Sequence, residues 1–239
     1  VKIFKNICNM LMSEIRLRKK RVAHNLPVYI SDGTKLQVGK NVFIGRNCYL
    51  DANEIILHDG VSIGKNCKLI GGTIVIGRHT NINSGCNINV GKNTFHMGNF
   101  CAISRNISFW GVDHNLDLPA VQVKLFKKFI KKSYPFKSKG GVLIGNDVLI
   151  GEGCIILCGA KISDGAIIGA GSVVTKEIPA YVVAAGHPAE YIRSRFKNDI
   201  VDKLLLLKWW DWSDEKILTN SNFFECNLKQ TDSTNEFLN

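Results

Sequence analysis

This sequence predicts an all-β solenoid in which short strands wind into a parallel β-helix, and three observations carry the prediction. Aliphatic residues recur at every sixth position, the fifth residue of each hexad is small or β-branched, and glycine (22) and asparagine fill the positions between, while proline (5) is scarce. A period of six matches neither the 3.6 of an α-helix nor the alternation of a hairpin sheet. It matches a triangular coil of three hexads whose aliphatic residue points into the prism. The fifth residue shares that interior, and Gly or Asn turns each corner. Handedness does not follow from the period.

In chain order, residues 1–30 form a basic helical cap. Within it, 2–22 read as an amphipathic helix with Ile3, Phe4, Ile7, Met10, Leu11 and Ile15 apolar amid Lys and Arg. A solenoid needs its open end covered; the alternative role is peripheral contact with an anionic membrane surface. Residues 31–196 carry the repeat. Val38, Ile44, Leu50 and Ile56 keep step, a one-residue slip gives Leu57, Ile63 and Leu69, and a second gives Ile76, Ile82 and Ile88, then Val90. From Ile144 the step runs unbroken through Ile150, Ile156, Ile162, Ile168 and Val174. The fifth positions are Val42, Cys48, Cys67, Thr80, Cys86, Thr94, Val148, Cys154, Ala160, Ala166 and Ser172. The repeat breaks once, over 104–141, for a long loop insertion. Residues 197–239 supply a C-terminal helix over Asp199 to Leu218 and a polar tail from about residue 226.

With 239 residues, 45% hydrophobic and 21% charged, the chain has the composition of a folded protein rather than a disordered one. Its longest leucine run, Leu204 to Leu207, falls far short of a membrane span, and the start of the chain, at Val1, lacks the pattern of a secretory signal. Eight cysteines form no CxxC pair and no Cys/His cluster with zinc spacing, so no metal site is expected and reduced thiols in the cytoplasm are. Cys48, Cys67, Cys86 and Cys154 are explained as prism filling. The net charge of +11 is concentrated in Arg16 to Arg21 and in the stretch Lys124 to Lys139, with seven lysines and no acid. Neither segment has a nucleic-acid-binding pattern, so no nucleic-acid partner is expected. There is no Walker loop and no G-x-G-x-x-G.

The segments Ile144-Gly145-Asn146-Asp147-Val148-Leu149-Ile150-Gly151 and Ile168-Gly169-Ala170-Gly171-Ser172-Val173-Val174-Thr175-Lys176-Glu177-Ile178-Pro179, with Ala185-Gly186-His187-Pro188-Ala189, resemble the hexapeptide-repeat acyltransferases. The resemblance spans roughly Lys35 to Phe196 and implies a left-handed parallel β-helix. Trp209-Trp210-Asp211-Trp212 is similar to the C-terminal helix of the xenobiotic and polysaccharide O-acetyltransferase branch, which includes chloramphenicol and streptogramin acetyltransferases. Within the long loop, His114-Asn115-Leu116-Asp117 resembles the His-x-Leu/Met-Asp element of the sugar and antibiotic O-acetyltransferases.

What the resemblance implies is acetyl transfer from acetyl-CoA to a hydroxyl, with His114 as general base. A neutral imidazole suits that task, since an alcohol near neutral pH is a poor nucleophile toward a thioester. Asp117, or else Asp113, orients the ring or binds an acceptor hydroxyl, and Trp110 walls a sugar ring or packs the loop. Acetyl-CoA is expected along a groove between neighbouring prisms, held by Glu152, Ala170, Thr175 and Lys176. Arg193 and Arg195 compensate for Glu190, which stands where an Arg is frequent in the family; Leu149 likewise stands where many members have Trp. A site between prisms implies a homotrimer. The leading expectation is O-acetylation of a surface polysaccharide or its precursor; the cationic loop suits an anionic carbohydrate acceptor. The alternatives are an antibiotic O-acetyltransferase, a sugar N-acetyltransferase and a non-catalytic trimeric scaffold. Cys101 and Cys158, outside the small interior position, are the candidates for a competing nucleophile. Of the other histidines, His24, His58 and His79 are expected at the surface, His96 in or near the interior, and His187 near the path of the cofactor.

Overall fold

The computed structural model describes residues 2–20, 22–25 and 27–228, with side chains from Leu11 onward. The side chains of Ile3, Phe4, Ile7, Cys8 and Met10 and the tail beyond 228 therefore lie outside what is described.

The hexads fold as a three-faced prism of stacked parallel strands. On the first face the strands Ala23–His24, Phe43–Ile44, Ser62–Ile63, Asn81–Ile82, Ala102–Ile103, Leu149–Ile150, Ile167–Ile168 and Val182–Ala185 stack in order, and Glu190–Ser194 closes the edge antiparallel. The second face runs from Val28–Ile30 through Asn87–Asn89 and Ser108–Trp110 to Val173–Val174; the third runs from Lys35–Val38 through Thr94–Met97 and Val142–Ile144 to Lys161–Ile162. The long strands Cys48–Leu57 and Lys68–Ile76 belong to both, passing through the corner between them.

The interior is what the period predicts, with informative exceptions. Ile44, Leu50, Ile63, Leu69, Ile82, Ile150 and Val174 are fully buried, as are the small residues Cys48, Cys67, Cys154, Ala160 and Ala166. Ile56, expected inside, turns out of the core, and Ile55 and Leu57 face in. Thr94, expected inside, is exposed, and Phe95 and Met97 fill the prism. Both corrections have one cause: the corner from second to third face holds extra residues in these coils, which reverses the inward parity. His96, between those two buried residues, is therefore exposed rather than interior. Cys101 also changes place: Ile103 pairs in register with the inward Ile82 and Ile150, so Cys101, two residues before it as Thr80 and Val148 are before theirs, is a fifth-position residue, 2% exposed.

The corner from third to first face places one residue per coil at positive φ. Among them are Gly60 and Gly165 but also His79, Phe100, Asp147 and Tyr181. A left-handed conformation costs a non-glycine residue about 1–2 kcal/mol. These side chains point away from the prism and make the platform for the C-terminal segment: His79 stacks on Phe100 at 5.0 Å, and Phe100 meets Trp209 at 5.0 Å.

Two flanks complete the molecule. Helix α1 (Lys2–Lys19) lays its second half on the N-terminal end of the prism. Leu17 is buried in the core, Ser13 Oγ accepts from the Ile30 amide at 2.9 Å, and Arg16 donates to the carbonyls of Ser31 and Thr34. At the other end, the single helix expected over Asp199 to Leu218 is corrected to several short ones. The first, Asn198–Leu207, stops where Lys208 turns left-handed; Trp209–Asp211 form one 3₁₀ turn; the last two are Asp214–Thr219, capped by Ser213, and Ser221–Glu225. Tyr181, Ile200, Leu204, Trp210 and Phe223 form a second core, separate from the prism interior.

The insertion begins after Trp110 rather than at 104, since Ile107 and Phe109 still fill the prism. Its stem is pinned by Asn93 Nδ2 and Ser138 Oγ, both donating to the Gly111 carbonyl at 2.6 and 2.7 Å, and by the antiparallel bridge of Asp113 with Lys137. The chain rejoins the prism at Gly141, where a Cβ would lie 1.9 Å from the Thr94 carbonyl oxygen. Gly141→Ala must therefore push the re-entering strand off its neighbour. It is expected to cost about 1–3 kcal/mol, read as a lowered melting temperature; an unchanged melting temperature would show that the stem gives way freely.

Candidate active site

The loop residues that bear chemistry hang from the corner between the second and third faces. Asp113, His114, Leu116, Asp117, Lys137, Ser138 and Lys139 line a cleft of about 570 Å³. Tyr134 organises it. This ring is buried, packs against Phe126 at 5.0 Å, Phe136 at 4.8 Å and His114 at 5.2 Å, and its hydroxyl accepts from the Asn115 amide and donates to the Asn115 carbonyl. Nothing in the sequence pattern singled out Tyr134; only the folded loop brings it beneath His114.

The imidazole of His114 is held by a carbonyl. Nδ1 lies 2.8 Å from the Val121 oxygen. A carbonyl can only accept, so Nδ1 carries the proton, and in the neutral ring Nε2 keeps its lone pair. Neither Asp113 nor Asp117 bonds the ring, so of the two roles expected for a carboxylate, orienting the imidazole is not made by this geometry, and binding an acceptor hydroxyl is the other. Asp117 forms an ion pair with Lys137, and Asp113 accepts a hydrogen bond from Cys158 Sγ at 2.9 Å. Trp110 stands at the loop's root on the second face, 38% exposed and paired in register with Asn89, so its ring is open to solvent beside the cleft's stem.

The expected cofactor residues fall in three places. Thr175 and Lys176 are exposed on the same corner as the loop, two coils further on; Glu152 and Ala170 lie on the other edge of the second face; Arg193 is exposed on the antiparallel strand of the first face. One prism does not bring them into a single cleft. Lys176 is ion-paired with Glu190 at 3.0 Å, so the residue that replaces the family's frequent Arg also engages the neighbouring lysine. Arg195 is committed elsewhere: it bonds Asp147 at 3.1 Å and the Gly165 carbonyl at 2.6 Å, and lies over the rings of Tyr181 and Phe196. Arg193 keeps an exposed guanidinium whose one described bond is to the adjacent Ser194 carbonyl.

The cysteine alternative loses ground on burial. Cys101 faces the interior, and burial pushes its thiol up to about 12. Cys158 is also 2% exposed, and burial together with its bond to Asp113 raises its pKa. A thiol without thiolate character is a poor nucleophile. Native protein at about pH 8 is therefore expected to resist iodoacetamide at Cys101 and Cys158, with labelling only after unfolding; rapid native labelling of either would restore the alternative. Among the described residues no group of three His, Cys, Asp or Glu side chains is arranged to hold a metal ion.

The hexad repeat that builds this prism is also what comparisons with known proteins match. Residues 141–176 match the family model described as bacterial transferase hexapeptide (six repeats), and residues 35–76 match the hexapeptide repeat of succinyl-transferase. A probable macrolide acetyltransferase of Lysinibacillus sphaericus is 38% identical over 131 residues, 52% of this chain and 73% of that protein. A chloramphenicol acetyltransferase of Klebsiella aerogenes is 36% identical over 128 residues, 51% of this chain and 61% of that protein, so the chain spans less than two thirds of its length. Among solved structures, a mutant of AntD, an N-acyltransferase from Bacillus cereus in complex with dTDP and coenzyme A, is 21% identical with a TM-score of 0.48, covering 78% of this chain and 90% of that one. The chain belongs to the hexapeptide-repeat acetyltransferases, and its prism is the left-handed parallel β-helix of that family.

Proposed function

We propose that this acetyltransferase moves an acetyl group from acetyl-CoA to a sugar hydroxyl of a surface polysaccharide or its precursor, with His114 as the general base. The observation that carries the reading is the bond from His114 Nδ1 to the Val121 carbonyl, which leaves Nε2 as the basic nitrogen at a cleft able to hold a sugar. The acceptor oxygen attacks the thioester carbonyl as its proton passes to Nε2. A C–O bond forms, the C–S bond breaks, and the proton on Nε2 returns to the departing sulfur.

The assembly is a homotrimer in this reading. Support comes from the placement of Glu152 and Ala170 on the opposite edge of the second face from His114, Thr175 and Lys176, which needs a neighbouring prism to complete one groove. The acceptor is a carbohydrate of anionic character, in keeping with the acid-free loop from Lys124 to Lys139. Helix α1, besides covering the prism end, leaves Leu11, Met12 and Ile15 exposed near Arg18, Lys19 and Lys20, which supports peripheral contact with an anionic lipid surface. The work is done in the cytoplasm, consistent with free thiols at Cys48, Cys67, Cys86, Cys101, Cys154 and Cys158.

An antibiotic acceptor is the second reading, favoured by the names of the relatives from Lysinibacillus and Klebsiella. Release of free CoA from acetyl-CoA, followed across neutral sugars, acidic glycans, chloramphenicol and a macrolide, separates the two. Turnover on glycans is the expected outcome; turnover on an antibiotic alone would reverse the order.

A further inference from the structure

Behind the aromatic rings that support His114 lies a second cleft, of about 690 Å³, lined by Lys92, Val123, Lys127, Lys131, Lys132, Ser133, Tyr134 and Phe136. Three of its lysines come from the loop tip and one, Lys92, from the prism corner beneath the loop. The convergence is built by the backbone. Gln122 caps the turn at Val123–Leu125, the chain continues as one π-helical turn over Phe126–Ile130, and Lys131 ends it in the left-handed conformation with φ 60°, carrying Lys132 back toward Tyr134. Among the described residues none of the four ammonium groups has a hydrogen-bond or ion-pair partner, whereas Lys137, on the His114 side of the same rings, is paired with Asp117. Four lysines thus line one cleft, three of them from a segment without an acid, a concentration of like charge that an entering anion would neutralise.

We propose that this lysine cleft is the subsite for a negatively charged group on the acceptor sugar, a carboxylate or a phosphate on the ring beside the one that is acetylated. The inference rests on the acetyl-transfer reading above and gives the acceptor its chemical class. Two features favour the acceptor over other anions. Tyr134 and Phe136 touch His114, at 5.2 and 5.5 Å between ring centroids, and also line the cleft, so an occupant sits one aromatic layer from the base. Phe136 is 47% exposed, so its ring gives the cleft apolar surface for the apolar side of a sugar ring. Lysines on flexible stems act as point charges and suit an anion whose orientation varies along a glycan, where a rigid guanidinium fork would demand one geometry.

The test is equilibrium binding by the full chain without acetyl-CoA, using hexagalacturonate, maltohexaose and a glycerol-phosphate polymer as probes, beside initial rates with acetyl-CoA. Wild type is expected to bind an anionic probe at least about tenfold more tightly than maltohexaose, and K127Q/K131Q/K132Q to lose about tenfold for that probe alone. The corresponding Arg triple variant should keep the charge and most of the affinity, and raising salt from about 50 mM to about 500 mM should weaken binding. Preference for hexagalacturonate assigns a carboxylate and preference for the glycerol-phosphate polymer a phosphate. Unchanged anion binding in the Gln variant overturns the proposal. So does a raised KM for acetyl-CoA with acceptor binding intact, which would make the cleft a cofactor site, or a fall in oligomer mass, which would make it a subunit contact. Lysine-dependent anion binding without acetyl transfer to any sugar supports the cleft and overturns the transfer reading instead.

Discussion

Replacing His114 by Ala is expected to lower kcat by about 10²–10⁴-fold, the usual effect of removing a general base, while acetyl-CoA binding persists. His114 supplies the only imidazole among the residues that line the cleft, and the bond from Nδ1 to the Val121 carbonyl puts the proton of the neutral tautomer on Nδ1 and the lone pair on Nε2. Alanine leaves the acceptor proton with water alone. Because the ring is exposed and its neighbours Tyr134 and Phe136 pack against each other at 4.8 Å, the loop should survive the substitution. Asp117→Asn is the internal comparison. Asp117 is held by Lys137 and does not touch the ring, so its loss should lower kcat by less than about tenfold, well short of a lost base. Steady-state kinetics with saturating acetyl-CoA reads both. A His114→Ala enzyme with near-wild-type kcat would remove the general-base assignment; an Asp117→Asn enzyme as impaired as His114→Ala would reinstate the carboxylate as its orienting partner.

Trp210→Ala is expected to detach the C-terminal helical segment at a cost of about 3–5 kcal/mol, the range for truncating a buried Trp or Phe. Trp210 is 2% exposed at the centre of the second core, with Tyr181, Ile200, Leu204 and Phe223 around it. Its carbonyl is held from the prism side, by Arg78 Nη2 at 3.1 Å and Asn99 Nδ2 at 3.2 Å, so the turn at Trp209–Asp211 fastens by backbone as well as by ring. The second core is separate from the prism interior. Proteolysis should therefore clip the variant beyond about residue 197 while the β-structure signal in far-UV circular dichroism stays. A variant as protease-resistant as wild type would show that the surrounding aromatics hold the segment without this side chain.

The prism itself was readable residue by residue. An inward aliphatic every sixth position and a small partner at the fifth are local facts of backbone parity, and from Ile144 to Val174 they hold without exception because those coils contain three hexads each. The misreadings cluster where coils are longer. Ile56 yielded to Ile55 and Thr94 to Phe95 because corner residues shift parity, and the spacing alone did not say at which corner the extra residue sits. Cys101 was misplaced for the same reason. At the C-terminus, the Ser213 cap with Asp214 and Glu215 behind it is a legible helix start, whereas the left-handed turn at Lys208 leaves no mark in the sequence.

The candidate site was half legible. His114, the carboxylates beside it and the cationic loop stand out in the sequence; the partner that orients the imidazole is a main-chain carbonyl, which every residue possesses and no motif records. The sequence by itself determined the repeat and most of the interior, since both follow from the period of burial along the chain, and it showed that the repeat is interrupted once before Gly141. Only the tertiary structure decided what the insertion does. It set Tyr134 beneath His114, took Asp117 away to Lys137, gathered Lys92 with the loop lysines and kept Glu152 and Ala170 on the far edge of the second face. Those pairings join residues many positions apart, and stacking of coils, rather than any local propensity, brings them together.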